Sequence, residues 1–140
     1  MVLRRCTMKL LVVDDSPEIV EILSFSMELS GYGVDGANDG IEAVERLQNN
    51  SYDVVITDAE MPRMNGVQVC KFLKAQFPSV FVIGMSGCFR ALKELKNVGA
   101  DICISKPFCI SKIEEAIENR FGPSTHNFDS TAAYCNSGLQ

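Results

Sequence analysis

A chain of 140 residues, 46% of them apolar and 22% charged, is long enough for one domain with its own core. Its net charge of −5 excludes the basic footprint of a nucleic-acid or anionic-membrane binder. No apolar run is long enough to be expected to insert into a membrane.

The first seven residues hold Arg4 and Arg5 but no apolar stretch of the length a secretory signal needs. Met8-Lys9-Leu10 reads as a natural start, so residues 1–7 are expected to be a short arm or an appended remnant. From there, buried apolar runs alternate with helical periodicity five times. A strand is expected from about Lys9 to Asp14. Ser16 and Pro17 open a helix that runs to Ser30, with Ile19, Ile22, Leu23, Phe25 or Ser26, and Leu29 on its inward face. A weak strand follows over Tyr32–Ala37. Asn38 or Asp39 caps a helix carrying Ile41, Val44 and Leu47. Asp53–Thr57 is apolar on both faces, as a central parallel strand should be. The third helix carries Val67, Cys70, Leu73 and Phe77. The fourth strand is Val80–Met85, and the fourth helix carries Phe89, Leu92, Leu95 and Val98. The fifth strand is Asp101–Ser105, and the fifth helix carries Ile110, Ile113, Ile117 and Phe121. After Gly122-Pro123 the composition turns to Ser, Thr, Asn and Gly, so residues 122–140 are expected to be a disordered tail or linker stub. The six cysteines (Cys6, Cys70, Cys88, Cys103, Cys109, Cys135) form no CxxC pair, and with the lone His126 they make no zinc pattern. Reduced thiols in a cytoplasmic protein are expected.

This alternation predicts an α/β fold, a doubly wound five-stranded parallel sheet in the order 2-1-3-4-5 with five helices. The polar groups then gather. Asp14 and Asp15 follow the first apolar run, Asp58 the third, Ser86 the fourth, and Lys106-Pro107 the fifth. All would lie at the strands' carboxyl ends, where open α/β sheets place their chemistry. Three neighbouring carboxylates repel one another, and ionising all three needs a cation or an ammonium. The grouping points to a Mg²⁺-dependent phosphoryl site built around one aspartate.

These residues carry a resemblance. Leu11-Val12-Val13-Asp14-Asp15-Ser16, Asp58-Ala59-Glu60-Met61-Pro62-Arg63-Met64-Asn65-Gly66, Ser86-Gly87 and Lys106-Pro107-Phe108 resemble the CheY-like receiver domain of two-component response regulators, over residues 8–121. Asp39-Gly40 and Gly99-Ala100-Asp101 match as well. The resemblance implies a flavodoxin-like fold. It implies that Asp58 takes a phosphoryl group from a phosphohistidine of a sensor histidine kinase or phosphotransfer protein. It also implies that Asp15 binds Mg²⁺ directly, that Asp14 acts mainly through water, and that Glu60 offers its backbone carbonyl. Lys106, before a cis proline bond, and Ser86 would contact the phosphoryl group. The result would be a switched surface for a downstream protein rather than turnover of a substrate.

Two features depart from the pattern. Cys103 stands where the family usually carries an aromatic residue, and the Ser86–Lys106 span is about two residues short, within the range over which loops vary. The fourth helix also lacks an evident capping residue before Cys88-Phe89. Two alternatives remain at this stage. An aspartate-nucleophile phosphohydrolase would usually show a second aspartate two residues after the first, where this chain has Glu60. A receiver-like scaffold would never be phosphorylated.

Overall fold

The computed structural model describes residues 8–123. The arm expected at residues 1–7, and all but the first two residues of the expected tail, lie outside the described residues. Five strands, β1 (Lys9–Val13), β2 (Gly33–Ala37), β3 (Val54–Asp58), β4 (Phe81–Ser86) and β5 (Ile102–Ser105), form one sheet in the order β2-β1-β3-β4-β5. Every pairing is parallel. Five helices alternate with them: α1 (Pro17–Leu29), α2 (Gly40–Asn49), α3 (Gly66–Gln76), α4 (Phe89–Asn97) and α5 (Ile110–Phe121). The expected architecture and strand order are those observed.

Side-chain alternation along the central strands builds two cores. Leu11, Val13, Val55 and Val82 face Ala43, Leu47, Val69, Leu73 and Leu95 of α2, α3 and α4. Leu10, Val12, Ile56, Ile83 and Met85 face Leu23, Met27, Ile113 and Ile117 of α1 and α5. Both faces are covered, which is why β1, β3 and β4 read as unbroken apolar runs. Burying one such Leu or Ile side chain stabilises the fold by roughly 1.5–3 kcal/mol.

The expected inward face of α1 needs correction. Its buried residues are Leu23 and Met27, whereas Ile22, Phe25 and Leu29 are 53%, 62% and 68% exposed. Met27 follows Leu23 by four residues, and Ile22, Phe25 and Leu29 also recur at helical spacing. The sequence therefore carries two apolar stripes, and periodicity alone does not say which faces the sheet. Ile41, Phe77 and Phe89 are likewise exposed. On α2 the small Ala43 and Gly40 take the inward positions beside Leu47.

The helix starts differ in kind. The Ser16 side chain accepts from the Ile19 N–H, with Pro17 at the first turn of α1. The Asp39 carboxylate accepts from the Glu42 N–H at α2, 2.8 Å. Asn65 and Gln68 form a reciprocal capping box at α3. In contrast, α4 and α5 begin at Cys88 and Cys109, and neither side chain makes a capping bond.

Candidate phosphoryl site

Register brings the strand ends together. Val13 pairs with Thr57 and with Ala37, Asp58 with Met85, and Ser86 with Ser105. Asp14, Asp58, Ser86 and Lys106 therefore share the carboxyl edge of the three inner strands and β5. The Lys106 N–H donates to the Ser86 carbonyl at 2.9 Å and fixes the strand that presents the lysine. The Lys106–Pro107 peptide bond is cis.

Lys106 bridges two carboxylates. Its Nζ lies 2.9 Å from Asp14 Oδ2 and 3.1 Å from Asp58 Oδ1. Asp14 is 1% exposed and Asp58 5%. The other Asp14 oxygen, Oδ1, accepts the Ser16 N–H at 2.9 Å, a local turn that an aspartate two residues before a helix cap favours. Asp15 is exposed, yet carboxylate oxygens of Asp14, Asp15 and Asp58 all lie within 4.8 Å of one another.

The electrostatics follow from this crowding. Burial raises the Asp58 pKa above its ordinary value, and the neighbouring Asp14 charge raises it further, against the hydrogen bond from Lys106. Burial works against the Lys106 ammonium, but its bonds to Asp14 and Asp58 outweigh that, and its pKa is raised. One ammonium thus offsets one of three carboxylates. The donor set is all oxygen, compact and over-negative, and it suits a small hard divalent cation that keeps some of its water.

The remaining residues are placed as follows. Ser86 is fully buried, and its Oγ accepts the Cys88 N–H at 2.9 Å, tying the strand end to the start of α4. Glu60 is exposed in the loop between β3 and α3, two residues beyond Asp58. A groove of about 330 Å³ opens between that loop and α4, lined by Glu60, Met61, Cys88 and Arg90 among others. Cys103 is half-buried, and its thiol donates to the Leu92 carbonyl of α4 at 3.6 Å. Gly66 is where α3 meets the site, since a Cβ there would lie 2.0 Å from the Asp58 carbonyl oxygen. Sequence reasoning overlooked the bond from Ser16 to Asp14, although Asp-x-Ser before a helix is its local signature.

Comparison with known proteins agrees with this geometry. The family model described as the response regulator receiver domain matches residues 10–118. The chain belongs to that family. Among similar proteins, the transcriptional regulatory protein CpxR homolog of Haemophilus influenzae is 35% identical over 84% of this chain and 54% of that protein. The alkaline phosphatase synthesis transcriptional regulatory protein PhoP of Bacillus subtilis is 34% identical over 79% and 47%. The chain thus spans about half the length of these curated relatives. The sensor protein EvgS of Escherichia coli matches at 30% identity, with 76% of this chain covering 9% of that protein. Among solved structures, the chemotaxis response regulator CheY4 of Vibrio cholerae superposes with a TM-score of 0.75 at 30% identity, over 81% of this chain and 98% of that one. Among the described residues, no helix of this receiver domain is long and apolar enough to cross a membrane.

Proposed function

We propose that this receiver domain is phosphorylated on Asp58 by a histidine kinase or phosphotransfer protein in the cytoplasm, and that the phosphoryl group switches its affinity for a downstream protein. The observation that carries the reading is the buried Asp58 carboxylate, held by Lys106 and crowded by Asp14 and Asp15. An Asp58 oxygen attacks the phosphorus of a phosphohistidine. The P–N bond breaks, and the imidazole leaves with the electron pair and is protonated by solvent. Such transfer depends on positioning and charge neutralisation rather than on acid–base work. Lys106 offsets the charge on Asp58 and meets the incoming phosphoryl oxygens. Ser86, at the neighbouring strand end, donates to them after transfer. Asp14, Asp15, Asp58 and the Glu60 carbonyl would hold Mg²⁺, which supplies charge stabilisation at the transferring group.

No separate substrate is turned over in this reading. Residues 8–121 form the receiver unit in this reading. The test is Mg²⁺-dependent labelling by acetyl phosphate, read by intact mass and by acyl-phosphate trapping. Asp58→Asn should abolish it. Substantial Mg²⁺-dependent acyl phosphate elsewhere in that variant sinks the assignment, and steady release of phosphate from small phosphomonoesters would favour a phosphohydrolase instead.

A further inference from the structure

The loop between β3 and α3 is fastened to a helix that contributes no residue to the site. Its two ends are fixed by backbone bonds, Ala59 N–H to the Met85 carbonyl at 2.8 Å and Gly66 N–H to the Ala59 carbonyl at 2.9 Å. Between them, Asn65 is held to α3 by its capping box with Gln68, and Met61 and Met64 pack against the core. Two further polar contacts fasten the loop sideways, and both reach the start of α2. The Gly40 N–H donates to the Met64 carbonyl at 3.1 Å. The Arg63 guanidinium pairs with Asp39 Oδ2 while Asp39 Oδ1 caps α2. The approach is as close as backbone allows, since a Cβ on Gly40 would lie 2.3 Å from the Met64 oxygen. Arg63 is also the one non-glycine residue with positive φ, 67°, among those described. A residue is held in that region only where its surroundings fix it.

We infer that Asp39 and Arg63 are positioning residues for the metal: by pinning the β3–α3 loop to α2, they hold the Glu60 carbonyl where Mg²⁺ needs it. The inference rests on the metal reading proposed above. A small cation that demands near-octahedral geometry gains from a carbonyl already in place, because ordering the loop on binding would otherwise subtract from affinity. Asp39 is suited to the task because one carboxylate serves both partners. The Arg63 ion pair holds its pKa below the ordinary range, with the Glu42 N–H adding to the effect.

Two substitutions separate this from its alternatives. Asp39→Asn keeps a good helix cap and loses the ion pair. Arg63→Gln removes a positive charge from the neighbourhood of the site, so charge alone would tighten Mg²⁺ binding, whereas the clasp predicts weaker binding. At physiological ionic strength, calorimetric titration with MgCl₂ should show both variants binding about two- to fivefold more weakly than the intact protein, the scale of one exposed ion pair. Arg63→Lys should recover most of the loss. Metal-free melting temperatures should stay close to the original. Lys74→Gln, which breaks the exposed Lys74–Asp101 pair at 3.1 Å, should leave Mg²⁺ affinity unchanged. Hydrogen exchange on the metal-free proteins supplies a second readout, with faster exchange at the Gly40 and Met64 amides expected in both variants. Equal or tighter Mg²⁺ binding by Arg63→Gln, or unchanged exchange at those amides, overturns the inference. If the intact protein binds no Mg²⁺ at millimolar concentration, the metal reading itself fails, and exchange alone then decides whether the clasp orders the loop.

Discussion

Two aspartates on the same sheet, Asp35 and Asp58, are treated in opposite ways. Asp35 lies on β2 and is surrounded by donors. The Tyr52 hydroxyl donates to it at 2.5 Å, and Lys9 Nζ stands 3.3 Å away, itself over the Tyr52 ring. The Tyr52 hydroxyl bond lowers the Asp35 pKa against a smaller opposing effect of burial, and Lys9 lowers it further. Asp58, on β3, has its pKa raised by burial and by Asp14. One carboxylate has been given enough partners for its charge, and the other has been left short. A structural carboxylate is stabilised by being satisfied. On the proposed reading, a carboxylate that takes on a phosphoryl group is kept in surroundings that an added cation would complete.

The largest effect should come from removing the one ammonium that relieves the crowded site. Lys106→Met removes the ammonium and leaves Asp14 and Asp58 buried without it, which should cost about 2 kcal/mol in denaturant unfolding. That figure is the loss expected for a buried pair, reduced because the lysine is part exposed. A variant as stable as the original would mean the pair is not coupled. In the satisfied region, Tyr52→Phe should cost about 1–2 kcal/mol, the low end for a hydrogen bond to a charged group, because the Asp35 side chain is part exposed.

Next, Mg²⁺ should distinguish the two regions. At a concentration ten times its dissociation constant it should stabilise the protein by about 1.4 kcal/mol through binding the folded state alone. Asp15→Ala should lose that gain and be no less stable without metal, while Tyr52→Phe should retain it. A melting temperature indifferent to millimolar Mg²⁺ counts against the site.

The smallest effect is in pH dependence, and it differs in sign. Asp58 binds its proton more tightly folded than unfolded, so its contribution is most favourable at low pH and falls as pH rises from about its ordinary 3.8 through the raised folded value. Asp35 is the reverse. Its contribution is complete above 3.8 and is lost as pH falls through the lowered folded value. In metal-free protein, Asp58→Asn should flatten the stability loss on the way up, and Asp35→Asn the loss on the way down. Parallel changes in both variants would refute the comparison.

Much of this was legible in the sequence for physical reasons. Strands buried on both faces leave unbroken apolar runs, a helix after each strand forces parallel crossovers, and five such strands fit the doubly wound order that the sheet shows. The site residues stood out because each closes such a run. The exposed stripe of Ile22, Phe25 and Leu29 was misjudged because α1 carries apolar residues on both sides. The Tyr52–Asp35 bond and the Arg63–Asp39 pair were not legible at all. Each joins segments whose approach depends on packing, and no spacing rule links a loop residue to a helix cap 24 positions earlier. Cys103 was recognised as a departure, but its thiol bond to the Leu92 carbonyl depends on where α4 comes to rest.

The contact between Gly66 and the Asp58 carbonyl oxygen has a mechanical consequence. On that side the chain has already closed to its limit, so the reacting strand end is backed by a stop and cannot recoil toward α3. The opposite side is held differently. There α4 starts without a capping side chain, tethered through the Ser86 hydroxyl and followed by an exposed phenylalanine. With one flank closed up and the other uncapped, displacement at Asp58 is expected to run toward α4. On the proposed reading, that is the flank through which a phosphoryl group on Asp58 would reach a partner.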